Sequence, residues 1–238
     1  AVRLYSEQNF EARPEFTDPE ILRTHLSSVI LSMASLGLGD ISEFPFLQPP
    51  DKKSVRDGIQ LLQELGAFTP GDGEAPATST DRPLTEIGRD MARIPTDPRL
   101  ARMLVAAHER SVLEQIAVIV AALSIQDVRE RPMEKQAQAD QAHARYNADS
   151  DFMSLLKLWN HLQENRQALS GNQFRQLCKR EFIHYVRVRE WTDLVRQFLT
   201  VIQELHWKIP NIRHVRNLTF GDIGDRGASL TEDSIHKA

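Results

Sequence analysis

Pro95 and Pro98 interrupt a run of strongly periodic apolar residues, and this pair constrains the fold more than any other feature of the chain. Upstream of them, Ile87, Met91 and Ile94 recur at helical spacing and make one apolar face. Pro95 cannot continue that helix, because it offers no N–H and its ring clashes with the preceding turn. Asp97 and Pro98 start another. The Asp97 carboxylate can accept the unsatisfied N–H groups of a first turn, and proline suits the first helical position. Leu100, Met103, Leu104 and Ala107 give the second helix its apolar face. A third piece, 112–123, is apolar nearly all round, the pattern of a helix buried within a larger core. Residues 84–124 are therefore expected to form helix, sharp break, helix, short turn and buried helix, with packing as the role of these side chains.

The run LTEIGRDMARIPTDPRLARMLVAA resembles the junction that follows the ATPase core of DEAH-box RNA helicases, where a winged helix hands over to a helical, ratchet-like domain. ALSIQDVRERP, SDFMSLLKLWNHL and ALSGNQFRQLCKREFIHYVRVREWTDL resemble the bacterial HrpA-type members in particular, and the motifs fall in the same order over nearly the whole chain. The resemblance implies a mainly α chain: a winged helix with a short β-hairpin wing, then a helical ratchet-like bundle. It divides the sequence into 1–16, a remnant of the second RecA-like ATPase lobe; 17–95, the winged helix; 96–206, the ratchet-like domain; and 207–238, a linker toward an OB-fold. It also implies a chain cut at both ends, with VRLYS as a strand leaving the ATPase lobe and SIHKA as the start of a longer helix.

The bulk composition fits a folded domain of ordinary kind. Of 238 residues, 41% are hydrophobic and 26% charged, enough for one large or two small cores. The formal charge is -4, unlike the strongly basic balance of a free-standing nucleic-acid binder, so any such role rests on a local patch. The lone cysteine, Cys178, rules out an internal disulfide and lies at helical spacing with Phe174 and Leu177, as a core thiol would. The longest apolar run, near 116–123, is too short to cross a membrane, and the N-terminal residues lack the apolar segment of a signal peptide. A cytoplasmic setting is expected.

Along the first part of the chain, Thr17 and Glu20 have capping-box spacing, with Pro19 near the first turn. Leu22, Leu26, Val29, Ile30 and Met33 follow as a buried face, closed by Gly37 and Gly39. A second helix places Val55, Ile59, Leu62 and Leu65 inward and ends at Gly66. A polar loop between strand-like ends, 67–83, precedes the third helix, which is the order of a winged helix. Lys52, Lys53 and Arg56 make the second helix basic at its start, as a groove-reading helix would be, although Asp51 and Asp57 offset them.

In the second part, residues after Ser124 are expected to form an irregular loop and a short exposed helix. Ser150 and Asp151 can cap the next helix, with Phe152, Leu155, Leu156 and Trp159 on its apolar side. From 173 to about 205 the pattern reads as one long helix, straight or kinked, since no glycine or proline interrupts it.

Motifs for chemistry are largely absent from the sequence. It contains no P-loop, no DEAH tetrad and no serine or cysteine with a local partner for nucleophilic attack. Catalytic residues, bound cofactors and metals are expected to be none, with ATP and Mg belonging to the parent enzyme. Glu181 and His184 have the spacing of half a carboxylate-bridged metal site, but no second pair completes it. The best polar candidate is the nucleic-acid-binding set Arg175, Lys179, Arg180, Arg187 and Arg189, joined by Arg196 and interleaved with Tyr185 and Trp191. Phosphates attract cations, and single strands stack on aromatic platforms. Glu181, Glu190 and Asp193 could instead pair these cations, and both aromatics suit a core. The resemblance implies that this domain forms one wall of a single-stranded RNA channel, with the RecA-like lobes of the same chain as its other partners. Many eukaryotic relatives in that family carry arginine directly after the tyrosine, where this chain has Val186, so the resemblance does not carry over individual contacts. The alternatives are a free-standing winged-helix DNA-binding regulator and a protein-interaction scaffold.

Overall fold

The computed structural model describes residues 5–12, 26–69, 83–207 and 235–238. These residues are mainly helical and divide into two units, Ala1–Arg89 and Asp90–Ala238.

In the first unit, α1 (Glu7–Glu11) is capped by Ser6, whose hydroxyl accepts the Asn9 N–H at 3.2 Å. Residues 2–4 of the expected VRLYS strand and the capping box at Thr17 fall outside the described residues; Tyr5 sits in a bend and Ser6 is the cap of α1. Helix α2 (Leu26–Leu36) buries Leu26, Ile30, Leu31 and Met33, and packs against α3 (Lys52–Glu64), which buries Val55, Ile59 and Leu62. Asp51 has a local task beyond offsetting the neighbouring lysines. Its carboxylate caps α3 by accepting the Lys53 and Ser54 N–H groups, each at 2.9 Å. The Ser54 hydroxyl and N–H hold that carboxyl below its ordinary value.

Both helices end as their glycines require. Gly37 takes φ +65° while Leu38 N–H bonds back to Met33 O at 3.0 Å. Gly66 takes φ +74° while Ala67 N–H bonds back to Leu62 O at 2.8 Å. Each is a left-handed residue just past the helix, closing its last carbonyls.

An antiparallel bridge, Phe68 with Leu84, then joins two extended ends. Thr85 N–H reaches Ala67 O at 3.0 Å across it. Residues 70–82, where the wing is expected, lie outside the described residues. Thr85 starts α4 (Glu86–Arg93): its hydroxyl donates to Gly66 O at 2.6 Å and accepts the Gly88 N–H at 2.9 Å. Gly88 faces the bridge so closely that a Cβ there would stand 2.1 Å from Ala67 O. Gly88→Ala should therefore cost about 2–3 kcal/mol despite alanine's better helix propensity, because the obstacle is backbone. Thermal melting checks this, and an undiminished midpoint would show that α4 does not press on the bridge.

The second unit is built around α6 (Leu113–Leu123). Its residues 116–121 are all buried, and it packs against α5 (Pro98–Glu109), α8 (Asp151–Ala168) and α10 (Tyr185–Glu204). The elbow forms as its residues dictate: Ile94 N–H closes onto Met91 O at 3.1 Å, and Asp97 caps α5 by accepting the Arg99 N–H at 2.8 Å. Met91 and Ile94 are buried. The buried face of α5 is rotated from the expected one, being Ala101, Leu104, Val105, Ala106 and Ala107, with Leu100 and Met103 half-buried.

The loop after α6 contains the short helix α7 (Gln136–His143), which buries only Ala139 and His143. Ser150 caps α8, accepting the Met153 N–H at 3.2 Å. The expectation of one long helix over 173–205 is corrected. The chain forms α9 (Gly171–Arg180) and then α10, with a corner at 181–184. Phe182 takes φ +54° there, a left-handed conformation that bulky residues seldom adopt. The last described residues hold a helical turn in which Ile235 is buried.

Candidate nucleic-acid interface

The corner between α9 and α10 gathers a dense set of polar bonds. Glu181 is 2% exposed, yet three donors satisfy its carboxylate. Tyr146 Oη donates to it at 2.7 Å, Arg145 at 3.0 Å and His161 Nε2 at 2.9 Å. An ionised carboxylate only accepts, so His161 carries its proton on Nε2. Burial pushes the Glu181 carboxyl upward, but the bonds from His161 and Tyr146 and the charge of Arg145 outweigh it and hold it below its ordinary value of 4.5. The reciprocal effect raises the Tyr146 phenol, through burial first and then the Glu181 bond.

The backbone of the corner is held as firmly. Ile183 N–H closes α9 onto Cys178 O at 2.8 Å. Glu130 N–H donates to Phe182 O at 2.8 Å, and His184 N–H donates to Val128 O at 2.7 Å, so the 128–130 loop pairs with the corner. His143 Nε2 lies 3.0 Å from Glu181 O and 3.2 Å from Phe182 O. Both oxygens accept only, so that nitrogen is the donor. These bonds offset the ~1–2 kcal/mol that a left-handed non-glycine residue costs.

The carboxylate network sets a pH dependence. The folded-state pKa of Glu181 lies below its unfolded value, so the group's contribution is present above about pH 4.5 and is lost as pH falls through the folded value. Stability should fall as pH drops from about 4.5 toward that lower folded value, and Glu181→Gln should flatten this acid limb. Denaturant melts across pH test this, and an acid limb equally steep in the variant would contradict it.

The five proposed cations do not share one face. Arg175 lies over the Tyr185 ring, 5.0 Å from its centroid. Lys179 is one turn further along the same side of α9 and is exposed. Arg180 is exposed, 3.9 Å from Glu181. Arg187 turns back to the loop, where its guanidinium donates to Asp127 O at 2.8 Å. Arg189, two residues on and so about 200° around the helix, faces elsewhere. It lines a cleft of about 740 Å³ with Pro95, Thr96, Glu190, Leu194 and Gln197. Arg196 pairs with Asp193 at 2.8 Å, as the sequence allows. Trp191 is fully buried and its indole donates to Val118 O at 2.9 Å, so it serves the core and not a stacking platform. Tyr185 is half-buried against Phe174.

Other side chains at the corner escape a sequence reading. Arg129 chelates Asp127, with contacts of 2.9 Å and 3.1 Å to its carboxylate. Burial raises the Asp127 carboxyl, and Arg129 outweighs that to hold it below its ordinary value. Arg145 joins from the loop before α8. No spacing in the sequence ties Arg129 or Arg145 to this corner. The half metal site is also resolved: His184 caps α10, its Nδ1 accepting the Arg187 N–H at 3.3 Å, while Glu181 points into the network. Among the described residues, no group of His, Cys, Asp and Glu is arranged to hold a metal. Cys178 is buried, which pushes its thiol up to about 11 and suits a core position. No helix among the described residues is long and apolar enough to cross a membrane.

Comparison with known proteins matches this architecture. Residues 97–182 match the family described as helicase associated domain (HA2), ratchet-like. The match begins at the cap of α5 and ends at the corner residue Phe182. The chain is 51% identical over 205 residues to the ATP-dependent RNA helicase HrpA of Escherichia coli (strain K12), covering 86% of this chain and 15% of that protein. It is 48% identical over 205 residues to the HrpA homolog of Haemophilus influenzae, covering 86% of this chain and 16% of that protein. A probable ATP-dependent RNA helicase of Mus musculus, DHX34, is 33% identical over 207 residues, covering 85% of this chain and 17% of its own length. The chain thus spans only 15% to 17% of the length of these relatives. It belongs to the HrpA type of helicase-associated region, with its ratchet-like (HA2) domain at 97–182.

Proposed function

We propose that this chain acts as the accessory region of a DEAH-box, ATP-dependent RNA helicase in the cytoplasm. The observation that carries the reading is the 51% identity to an ATP-dependent RNA helicase over 86% of the chain. In this reading the helical unit forms part of the wall of a single-stranded RNA channel. Lys179, Arg180 and Arg187, which flank the corner, meet phosphates there together with Arg175, releasing counterions from the strand, while Arg189 stands on another face. The first unit is read as a winged helix that couples motion of RecA-like ATPase lobes to the helical unit, so that ATP hydrolysis advances the strand. ATP and Mg would be held by those lobes, since this sequence has neither a P-loop nor a DEAH tetrad. The chain by itself would not hydrolyse ATP.

Titration of labelled single-stranded RNA and of short duplexes, at low and raised salt, tests the reading. Preference for the single strand, weakened by neutralising Lys179, Arg180 and Arg187, supports it. Preference for duplex DNA, abolished by charge reversal at Lys52 and Lys53, would replace it with a DNA-binding regulator. Absence of binding at every salt concentration would favour a protein-interaction scaffold.

A further inference from the structure

We infer that Glu181, a residue that touches no strand, positions the cations of the interface by holding the corner between α9 and α10. This rests on the RNA reading proposed above and names the residue on which its geometry depends. Three observations carry it. The carboxylate is buried and takes three hydrogen bonds from Arg145, Tyr146 and His161, on α8 and the segment before it. The corner it holds contains a left-handed phenylalanine, which persists only where the surroundings over-determine it. Cations flank the corner on both sides: Lys179 and Arg180 precede it, and Arg187 follows it. Arg187 is tied to the same assembly through His184 and through Asp127, one residue before the loop segment paired to the corner.

The charge of Glu181 makes the test sensitive to sign. A carboxylate beside Arg145 and Arg180 subtracts from the local positive potential. If charge were its only influence, Glu181→Gln would tighten RNA binding. If Glu181 positions the cations, the same variant weakens binding although the net charge has become more favourable.

The measurement is fluorescence anisotropy of a labelled single-stranded RNA on the whole chain, well below the melting temperature of each variant. Glu181→Gln should weaken binding roughly fivefold to tenfold, and the slope of log affinity against log salt should fall by about 0.7 for each phosphate that the chain ceases to neutralise. Tyr146→Phe, which removes one anchor and no charge, should weaken binding about twofold to threefold, through the same loss of fixed geometry. A purely structural role lowers the melting temperature of either variant but leaves the affinity and salt slope of the folded protein unchanged. Unchanged or tighter binding by Glu181→Gln, with Lys179→Ala and Arg187→Ala still weakening it, would overturn the positioning role and leave the RNA reading intact. If Lys179→Ala and Arg187→Ala also leave affinity unchanged, the RNA reading falls and the positioning role falls with it.

Discussion

Leu104→Asp will unfold the second unit. Leu104 is fully buried on α5, on the face that packs against the central helix α6. Removing the leucine forfeits about 2–3 kcal/mol of apolar burial. The aspartate then either stays ionised without a partner or takes a proton, and each path adds several kcal/mol. The sum approaches the whole stability of an ordinary domain, about 5–15 kcal/mol. Circular dichroism should show loss of most helical signal at room temperature. A soluble variant with unchanged melting would mean that the buried face of α5 is wrongly placed.

Trp191→Ala should be the second most damaging change, at about 4 kcal/mol, because it leaves a large cavity where α10 meets α6. The indole is fully buried, its N–H donates to Val118 O at 2.9 Å, and its ring lies 4.9 Å from that of Trp159. Trp191→Phe keeps part of the volume and loses the hydrogen bond, and should cost about half as much. A stacking platform behaves otherwise: its loss would reduce RNA affinity with little change in melting. Thermal denaturation and RNA titration of the same variant separate the two roles.

The elbow and the central helix were legible because their signals are local. Pro95 stops a helix and Asp97 with Pro98 starts one whatever surrounds them, and a helix apolar on every side has nowhere to go but inside. Gly37 and Gly66 marked helix ends for the same reason. The corner at 181–184 was not legible. It has the bonding of a left-handed helix terminus, yet phenylalanine stands where glycine is expected. Ser111 and His206 end α5 and α10 in the same way, with φ +58° and +57°. At the corner, what permits the break is distant in sequence: Glu130, His143, Tyr146 and His161 supply the bonds that make it stable. No periodicity within 173–205 contains that information.

The candidate interface was legible as composition and not as geometry. The arginines of α9 and α10 stood out by number, but helical phase separates Arg187 from Arg189, and Asp127 draws the former toward the loop. Sequence spacing offers Glu181 as half of a metal pair or as a partner for nearby cations, and Arg180 does lie 3.9 Å from it. Its closer partners, Arg145, Tyr146 and His161, come from α8 and the segment before it, which spacing cannot reveal.

Cations around the α9–α10 corner are proposed to contact a single strand. Photo-crosslinking of a single-stranded RNA to the whole chain, with the linked peptides identified by mass spectrometry, tests it most directly. The expected result is crosslinks concentrated in peptides from 175–189, abolished at high salt. Crosslinks confined to the peptide carrying Lys52, Lys53 and Arg56, or none at low salt, would contradict it.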